Sequence, residues 1–549
     1  MKFLTHIRSK SKLKNVPPEA NTYAYQDPSS SKRYGRGSPT SKLPRQVLGK
    51  IFAHVCPHVR DDTYIKLEDS MQDGDCMLCD LRDLAYCTLV DRQWADAGQK
   101  LLYHSVRIDP VHFCQREVDL AEKRKRKSFL NRNGEPKDAP TERLKLLSRT
   151  VRENQYLAAQ VLYFKLPYMT RESCKADLAR TVSALPNLRY VDLPEGFYID
   201  EPGSLTLKTE VQSRCPDIRK MRYAAGAERS FAKLSQTRQW QNLEILELSH
   251  LSIEPSTLIH ALASFPILHE LKLDGLPLLD DSVFVSSPQS LSIPPLTKFS
   301  LSDTPNVSTE GLVKYLSRPE TREVMTDLTL INTGVYLESL HRVFAAAPYL
   351  RTVNVAETVS RALQPSSVPP LASPSIKSLH YEIMNPSNPS RMTRTLRAPA
   401  ESYYDYLAFS LLQGALPALD ELFALSTSLP DLLLPPPTAP FAQDGKSLPQ
   451  NGLARPLHLY TKAIVEMEWQ FTHISPPTAA NRRGSATKTR PLSLYGNSHQ
   501  LGPQWGERGR DSVMVGNGFG GFLAIPSEDA LPHHSMHGKK KSKDYGWMG

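Results

Sequence analysis

"LEILELSHLSIEPSTLIHALASFPILHELKLDGL", residues 243–276, contains the same apolar spacing twice. Leu243, Leu246 and Leu248 open it, and Leu268, Leu271 and Leu273 repeat it 25 residues later. Residues two apart in an extended chain share a face, so Leu246 and Leu248 point one way while Glu247 points the other. Between the two copies, "STLIHALASFP" opens on Ser256 and aligns Leu258, Ile259, Leu262 and Phe265 at helical spacing. Pro266 then stops the helix and favours extended chain. The stretch reads as strand, loop, helix, strand.

The pattern apolar-x-x-apolar-x-apolar extends in both directions. It stands at Leu188/Val191/Leu193, Ile218/Met221/Tyr223, Leu296/Phe299/Leu301, Met325/Leu328/Leu330, Leu350/Val353/Val355 and Ile376/Leu379/Tyr381, with weaker copies at Ala158/Val161/Tyr163 and Leu419/Leu422/Ala424. Successive strong copies begin 25 to 30 residues apart. That spacing and core pattern are those of a leucine-rich repeat. Intervening helices are predicted at "TRESCKADLARTVSALP", capped by Thr170, and at "YLESLHRVFAAAP". The Asn or Cys usual three residues after the last apolar position is replaced by Gly196, Leu251, Leu276, Thr304, Thr333 and Thr358. An irregular solenoid of parallel strands and outer helices is therefore expected, an α/β class.

The chain has 549 residues, 44 prolines, seven cysteines and a formal net charge of +10. Its basic excess sits in runs such as "EKRKRK" (122–127) and "KKKSK" near the end, so nucleic acid is an unlikely partner by charge alone. No apolar stretch is long enough for a membrane span, and "MKFLTHIRSK" lacks the apolar middle of a secretory signal. The odd cysteine count fits a reducing intracellular compartment, cytoplasm or nucleus. Composition divides the chain into a disordered basic leader (1–40), a small helical domain (41–108) with a polar insert at 56–80, and a basic linker (109–140). The repeats (141–430) and a mostly disordered Pro/Gly/Ser-rich tail (431–549) follow. Within that tail, 457–474 is expected to form one strand or helix that caps the repeats.

The helical domain carries "LPRQVLGKIFAHV" (43–55) and then "LRDLAYCTLVDRQWADAGQKLLYHSVRI" (81–108). Leu-Pro, apolar residues at helical spacing, Leu-x-x-Leu, Leu-Val and Arg-x-Trp resemble the F-box. Together with "CMLCDLRDLAYCTLVDRQW" and the repeats, residues 41–385 look like the F-box proteins with degenerate leucine-rich repeats of filamentous fungi. That resemblance implies a Skp-type adaptor and a cullin as partners. It assigns adaptor contact to Leu43, Pro44, Val47, Leu48, Ile51, Phe52, Leu89, Val90 and Trp94. The sequence departs from the family in Gln46, where an acidic residue is common, in Asp91, where Cys is common, and in the long insert.

The same reading makes the repeats a holder for an unidentified protein substrate. Strand residues between the apolar positions face outward, and Tyr190, Asp192, Glu247, Lys272, Ser300, Thr329, Asn354 and His380 are the candidate contacts. Charge reversal at Glu247 and Lys272 is expected to leave stability nearly unchanged. No catalytic constellation and no cofactor site is expected: the chain contains no G-x-S-x-G, H-E-x-x-H or P-loop. His260, His269 and His341 read as surface or core residues, and Ser485 in "NRRGS" matches a basic-directed phosphosite. "GNGFGG" (516–521) fits G-x-G-x-x-G but lacks a following helix pattern, so it reads as a turn. Cys76 and Cys79, with Cys56 and His58 nearby, supply one Cys pair where a zinc site wants two, and read as packing residues. The chain is expected to be an adaptor or an interaction scaffold, not an enzyme.

Overall fold

The structure is a computed structural model. It describes residues 43–56, 59, 77–108, 114–128, 139–166, 174–237, 239–285, 292–364, 368–386, 398–434, 453 and 455–475, and the backbone of 512–516 and 522–526. It is a mixed α/β protein with a large, mostly parallel sheet and many helices.

Three helices come first: α1 (Arg45–Val55), α2 (Met77–Cys87) and α3 (Arg92–His104). Pro44 starts α1, its carbonyl accepting from the amides of Val47 at 2.9 Å and Leu48 at 3.1 Å. Asp91 caps α3 by accepting from the Trp94 amide at 2.9 Å, so the side chain that departs from the F-box pattern satisfies an otherwise unpaired helix donor. Leu48, Phe52, Cys56, Val59, Leu84 and Ala97 form a separate small core, with Trp94 packed edge-on against Phe52 at 5.1 Å.

The helices run directly into the sheet. Residue 104 ends α3 and β1 (Ser105–Arg107) begins at once, pairing parallel with β2 (Tyr163–Lys165), which pairs with β3 (Tyr190–Asp192). This register corrects the weak copy placed at Ala158/Val161/Tyr163. Phe164, not Val161, stands opposite Val191, so the buried triplet is Val161/Phe164/Leu166. Tyr163 looked apolar by composition but lies on the opposite face, stacked on Tyr190 at 4.6 Å. One further unit precedes it: Val106 pairs with Phe164, and Ile108 is buried. The segment expected as a basic linker contains α4 (Gln115–Ser128) and leads into α5 (Ala139–Glu153). Glu117 there accepts 2.5 Å bonds from both Arg124 and Arg143. A short α6 (Gln155–Ala158) follows.

Strand and helix then alternate. After α7 (Lys175–Val182) and α8 (Leu205–Arg214) come β4 (Lys220–Ala224), α9 (Glu228–Thr237), β5 (Ile245–Ser249), α10 (Pro255–Leu262) and β6 (Glu270–Asp274). Next are β7 (Lys298–Ser308), α11 (Thr309–Leu316), α12 (Pro319–Val324), β8 (Asp327–Gly334), α13 (Leu340–Ala346) and β9 (Thr352–Thr358). The series continues with β10 (Ser378–Met384), α14 (Pro399–Leu412), β11 (Glu421–Ala424), α15 (Leu429–Leu433), β12 (Leu457–Thr461) and β13 (Gln470–Ile474). Strands β4 to β12 pair in chain order and in parallel, and the Arg219 amide reaches the Arg189 carbonyl at 2.8 Å to join β3 to β4. No member of the eight strong triplets is more than 4% exposed.

Several expectations shift by a residue or an element. Helix α7 starts after Cys174, and Thr170, the expected cap, lies outside the described residues. Helix α10 begins on Pro255 rather than Ser256, since proline's fixed φ suits a first helical position. Residues 457–474 form not one element but a hairpin, with β13 antiparallel to β12 at the sheet edge. In the tail, β14 (Ser512–Gly516) and β15 (Phe522–Pro526) pair antiparallel, so "GNGFGG" is followed by a strand where a dinucleotide fingerprint requires a helix.

At four strand ends, where the sequence lacks the expected Asn, backbone geometry supplies the turn. His250, Gly275, Asp303 and Asn332, each two residues after the last apolar position of its unit, adopt positive φ of 55°, 62°, 48° and 49°. Gly, Asn, Asp and His tolerate this region best. Between β9 and β10 no helix forms among the described residues. A strap without helix or strand, described over 359–364 and 368–377, is tied to α14 by Leu363 N to Ser402 Oγ at 2.8 Å and Leu371 N to Ser410 Oγ at 3.0 Å.

Gly275 combines a positive φ with close approach of the His250 ring to where a Cβ would stand. Gly275→Ala is expected to lower unfolding free energy by about 1–2 kcal/mol or more. Urea unfolding followed by circular dichroism checks this; an unchanged midpoint contradicts the turn's role.

Candidate functional site

Two surfaces stand out, one on the helical module and one on the sheet. On the module, Val47 and Ile51, one turn apart on α1, are 40% and 43% exposed, and Leu89 and Val90, just before α3, are 60% and 58% exposed. Gln93 Nε2 donates to the Leu43 carbonyl at 2.5 Å and Arg45 pairs with Asp96 at 2.9 Å, so the starts of α1 and α3 lie side by side. The bonds bring Pro44, Val47, Leu89 and Val90 to one region of the surface. Pro44 is exposed, and Leu43 and Trp94 are half-buried. Leu48 and Phe52, also named for adaptor contact, are fully buried in the module's own core, where they hold α1 in place. Tyr86, missed in the sequence, is exposed on α2, one turn before Leu89.

The helices leave one face of the sheet open. Glu247, Lys272, Ser300, Thr329, Asn354 and His380 occupy one register row across β5 to β10. Asp192 holds the equivalent place in β3, while Tyr190 belongs to the neighbouring row, opposite Tyr163. The row continues beyond His380 to Phe423 and Tyr460, which the sequence reading left out. The signal for Phe423 was present, since it sits between Leu422 and Ala424 of the weak copy.

Along this row the chemistry changes in three steps. The first third is a closed charge network. Glu247 is bound by Lys220 and Lys272, each at 3.0 Å, and Lys272 also reaches Glu270 at 3.2 Å. Arg219 pairs with Glu244 at 2.6 Å, and Glu244 accepts from the Tyr190 hydroxyl at 3.1 Å. Burial pushes the Asp192 carboxyl up, although Lys165, Lys220, Arg107 and Arg222 pull it down. The middle third has short side chains. Ser300 and Thr329 line a depression of about 200 Å³ together with Glu270, Lys272, Lys298 and Asp327. The Asn354 Oδ1 beyond it is buried without a hydrogen-bond partner.

The last third is aromatic. His380 stacks on Phe423 at 4.0 Å and Phe423 on Tyr460 at 4.4 Å, with planes 7° apart in both pairs. Trp469 closes edge-on against Phe423 at 5.4 Å, and Phe471, half in solvent, packs on Tyr460 at 5.3 Å. Burial pushes the His380 imidazole down against the pull of Glu382 and Glu421, which favours the neutral ring that stacks. Along the row, charge gives way to a polar trough and then to a flat apolar wall.

The remaining candidates are placed as follows. His260 Nδ1 lies 2.6 Å from the Ser256 carbonyl and His341 Nδ1 3.0 Å from the Glu338 carbonyl, His260 exposed on α10 and His341 half-buried on α13. The His269 backbone takes part in the strand ladder through its bonds to Glu244 and Lys298. Among the described residues, no group of three or more His, Cys, Asp or Glu is arranged to hold a metal ion. Cys56 is buried and Cys79 lies on α2, but Cys76, His58 and Ser485 lie outside the described residues. Among the described residues no helix is long and apolar enough to cross a membrane.

Glu247 is not the freely exposed residue expected, because its side chain is only 19% exposed and clasped by two lysines. Burial works to raise its carboxyl, but Lys220 and Lys272 outweigh it and hold it below the ordinary glutamate value. A depressed carboxylate adds stability above its unfolded pKa and loses it as pH falls through the folded one. Glu247→Gln is therefore expected to cost about 1–3 kcal/mol at neutral pH. That deficit should shrink in acid, as the Glu247 carboxylate takes up its proton below the ordinary glutamate value and both proteins become neutral at this position. Paired urea titrations measure it, and a deficit independent of pH contradicts the network.

No family model matches the chain, and no curated protein matches it. Among solved structures, the chain is similar to the crystal structure of the Rad7 and Elc1 complex in yeast, at 13% identity. The match covers 64% of this chain and 93% of that one with a TM-score of 0.33, a likeness too low to carry an argument about function.

Proposed function

We propose that the chain is a non-catalytic substrate receptor of a Skp–cullin–F-box type ubiquitin ligase, working inside the cell. In this reading, the helical module is an F-box that docks a Skp-type adaptor. The strand–helix units form an irregular leucine-rich-repeat solenoid whose open face holds a protein substrate. The observation that carries the proposal is the exposed apolar group of Val47, Ile51, Leu89 and Val90 on a module with a very small core. Large apolar side chains gathered on one surface mark a docking site.

The mechanism needed is proximity. A receptor bridging adaptor and substrate raises the effective concentration of a substrate lysine near a charged conjugating enzyme. A direct α3–β1 junction suits that role, because little slack separates the docking module from the sheet. The same junction favours a second reading, a repeat scaffold whose N-terminal helices only cap the sheet edge. Capping uses Tyr103, Val106 and Ile108, however, and leaves Val47, Ile51, Leu89 and Val90 without a role.

Calorimetric titration of the full chain with a purified Skp-type adaptor tests the proposal. Val47→Glu combined with Leu89→Glu is expected to weaken binding about 30-fold or more, since buried interface anchors contribute about 2 kcal/mol or more each. Thermal unfolding should change little, because both side chains are already in solvent. Equal affinity of the double variant and the parent overturns the docking surface.

A further inference from the structure

Where the strap replaces a helix, a cleft opens beside the end of β9. It measures about 470 Å³ and is lined by Tyr336, Leu337, Glu338, Glu357, Val359, Arg361 and Tyr403, among others. Glu357 lies on the strand face that carries the buried Val353 and Val355, and its register partner on β10 is the buried Ile383. A carboxyl thus stands in a row otherwise apolar. Among the described residues, no donor or cation is placed on it.

We propose that this cleft is a binding site for a cationic side chain, the ammonium of a lysine or the guanidinium of an arginine, presented by a protein or peptide partner. Four features of the cleft support that chemistry. Its volume lies within the roughly 300–1,000 Å³ range of small-ligand sites. Two carboxyls, Glu357 and Glu338, outnumber the single cation Arg361 on the lining, which disfavours an anionic ligand. Tyr336 and Tyr403 supply aromatic walls of the kind that attract cations. Leu337 and Val359 offer apolar contact for the aliphatic stem. The site lies outside the register row on the open face, and it does not depend on the ligase reading.

Titration of Glu357 gives the site a pH signature. Burial pushes its carboxyl up to about 7. The groups facing it are Glu338 and Tyr336 from the segment before α13, Arg361 from the strap, Tyr381 from β10 and Tyr403 from α14. A bound cation favours the ionised form, so affinity should fall about tenfold between about pH 8 and pH 6 as Glu357 takes up a proton.

Saturation-transfer NMR on the full chain tests this with Nα-acetyl-lysine amide, Nα-acetyl-arginine amide and uncharged Nα-acetyl-norleucine amide. One or both cations should receive saturation at about pH 8, with loss toward pH 6, and norleucine amide should receive none. Glu357→Gln, which mimics the protonated acid, should weaken the effect about fivefold or more. Should that variant fail to fold, Tyr336→Ala carries the test, since Tyr336 is 70% exposed and its truncation spares the core. Equal saturation of norleucine amide, absence of saturation by both cations, or unchanged saturation in the folded variants overturns the site.

Discussion

Along strands β3 to β12 buried residues alternate with more exposed ones, and the whole molecule depends on that alternation. Because side chains alternate at period two, one register assigns Leu246 and Leu248 to the core and Glu247 to the open face. Parallel pairing then copies the choice from strand to strand, placing Lys272 beside Glu247 and Ser300 beside Lys272. The row of side chains on the open face is therefore a by-product of core packing. Side chains from ten strands come into line without any of them being close in sequence. The left-handed turns at His250, Gly275, Asp303 and Asn332 preserve the register where each strand hands over to its connection.

The helical module and the sheet share this logic. Tyr103, Val106 and Ile108 extend the strand pattern into the end of α3, so the module is the first unit of the array as well as a separate small core. The module buries little of its own, and Val47, Ile51, Leu89 and Val90 remain at the surface. At the other end the array closes with a hairpin instead of another parallel strand. There the open face changes from charged to aromatic, and the stack of His380, Phe423 and Tyr460 forms its wall.

Much of this was legible in the sequence, for a physical reason. Apolar triplets at fixed spacing are the direct imprint of one-sided burial, and all eight strong copies lie in the core. What escaped was whatever does not leave an apolar imprint. Tyr163 reads as apolar by composition yet lies on the open face, which displaced the weak copy by three residues. Phe52 and Leu48 match a docking motif, but the sequence does not say which side of an amphipathic helix faces its own core. The turn residues were sought at the side-chain position of the usual repeat, whereas the chain solves the turn one residue earlier with backbone φ. Glu247 looked exposed because its two lysine partners are contributed by neighbouring strands.

Affinity purification of the full-length chain from its native cells, with mass spectrometry of what co-purifies, tests the central claim most directly. A substrate receptor should carry peptides of a Skp-type adaptor and a cullin in amounts comparable to its own. A folded chain recovered repeatedly without either would contradict the receptor account and leave the strand–helix array as a scaffold.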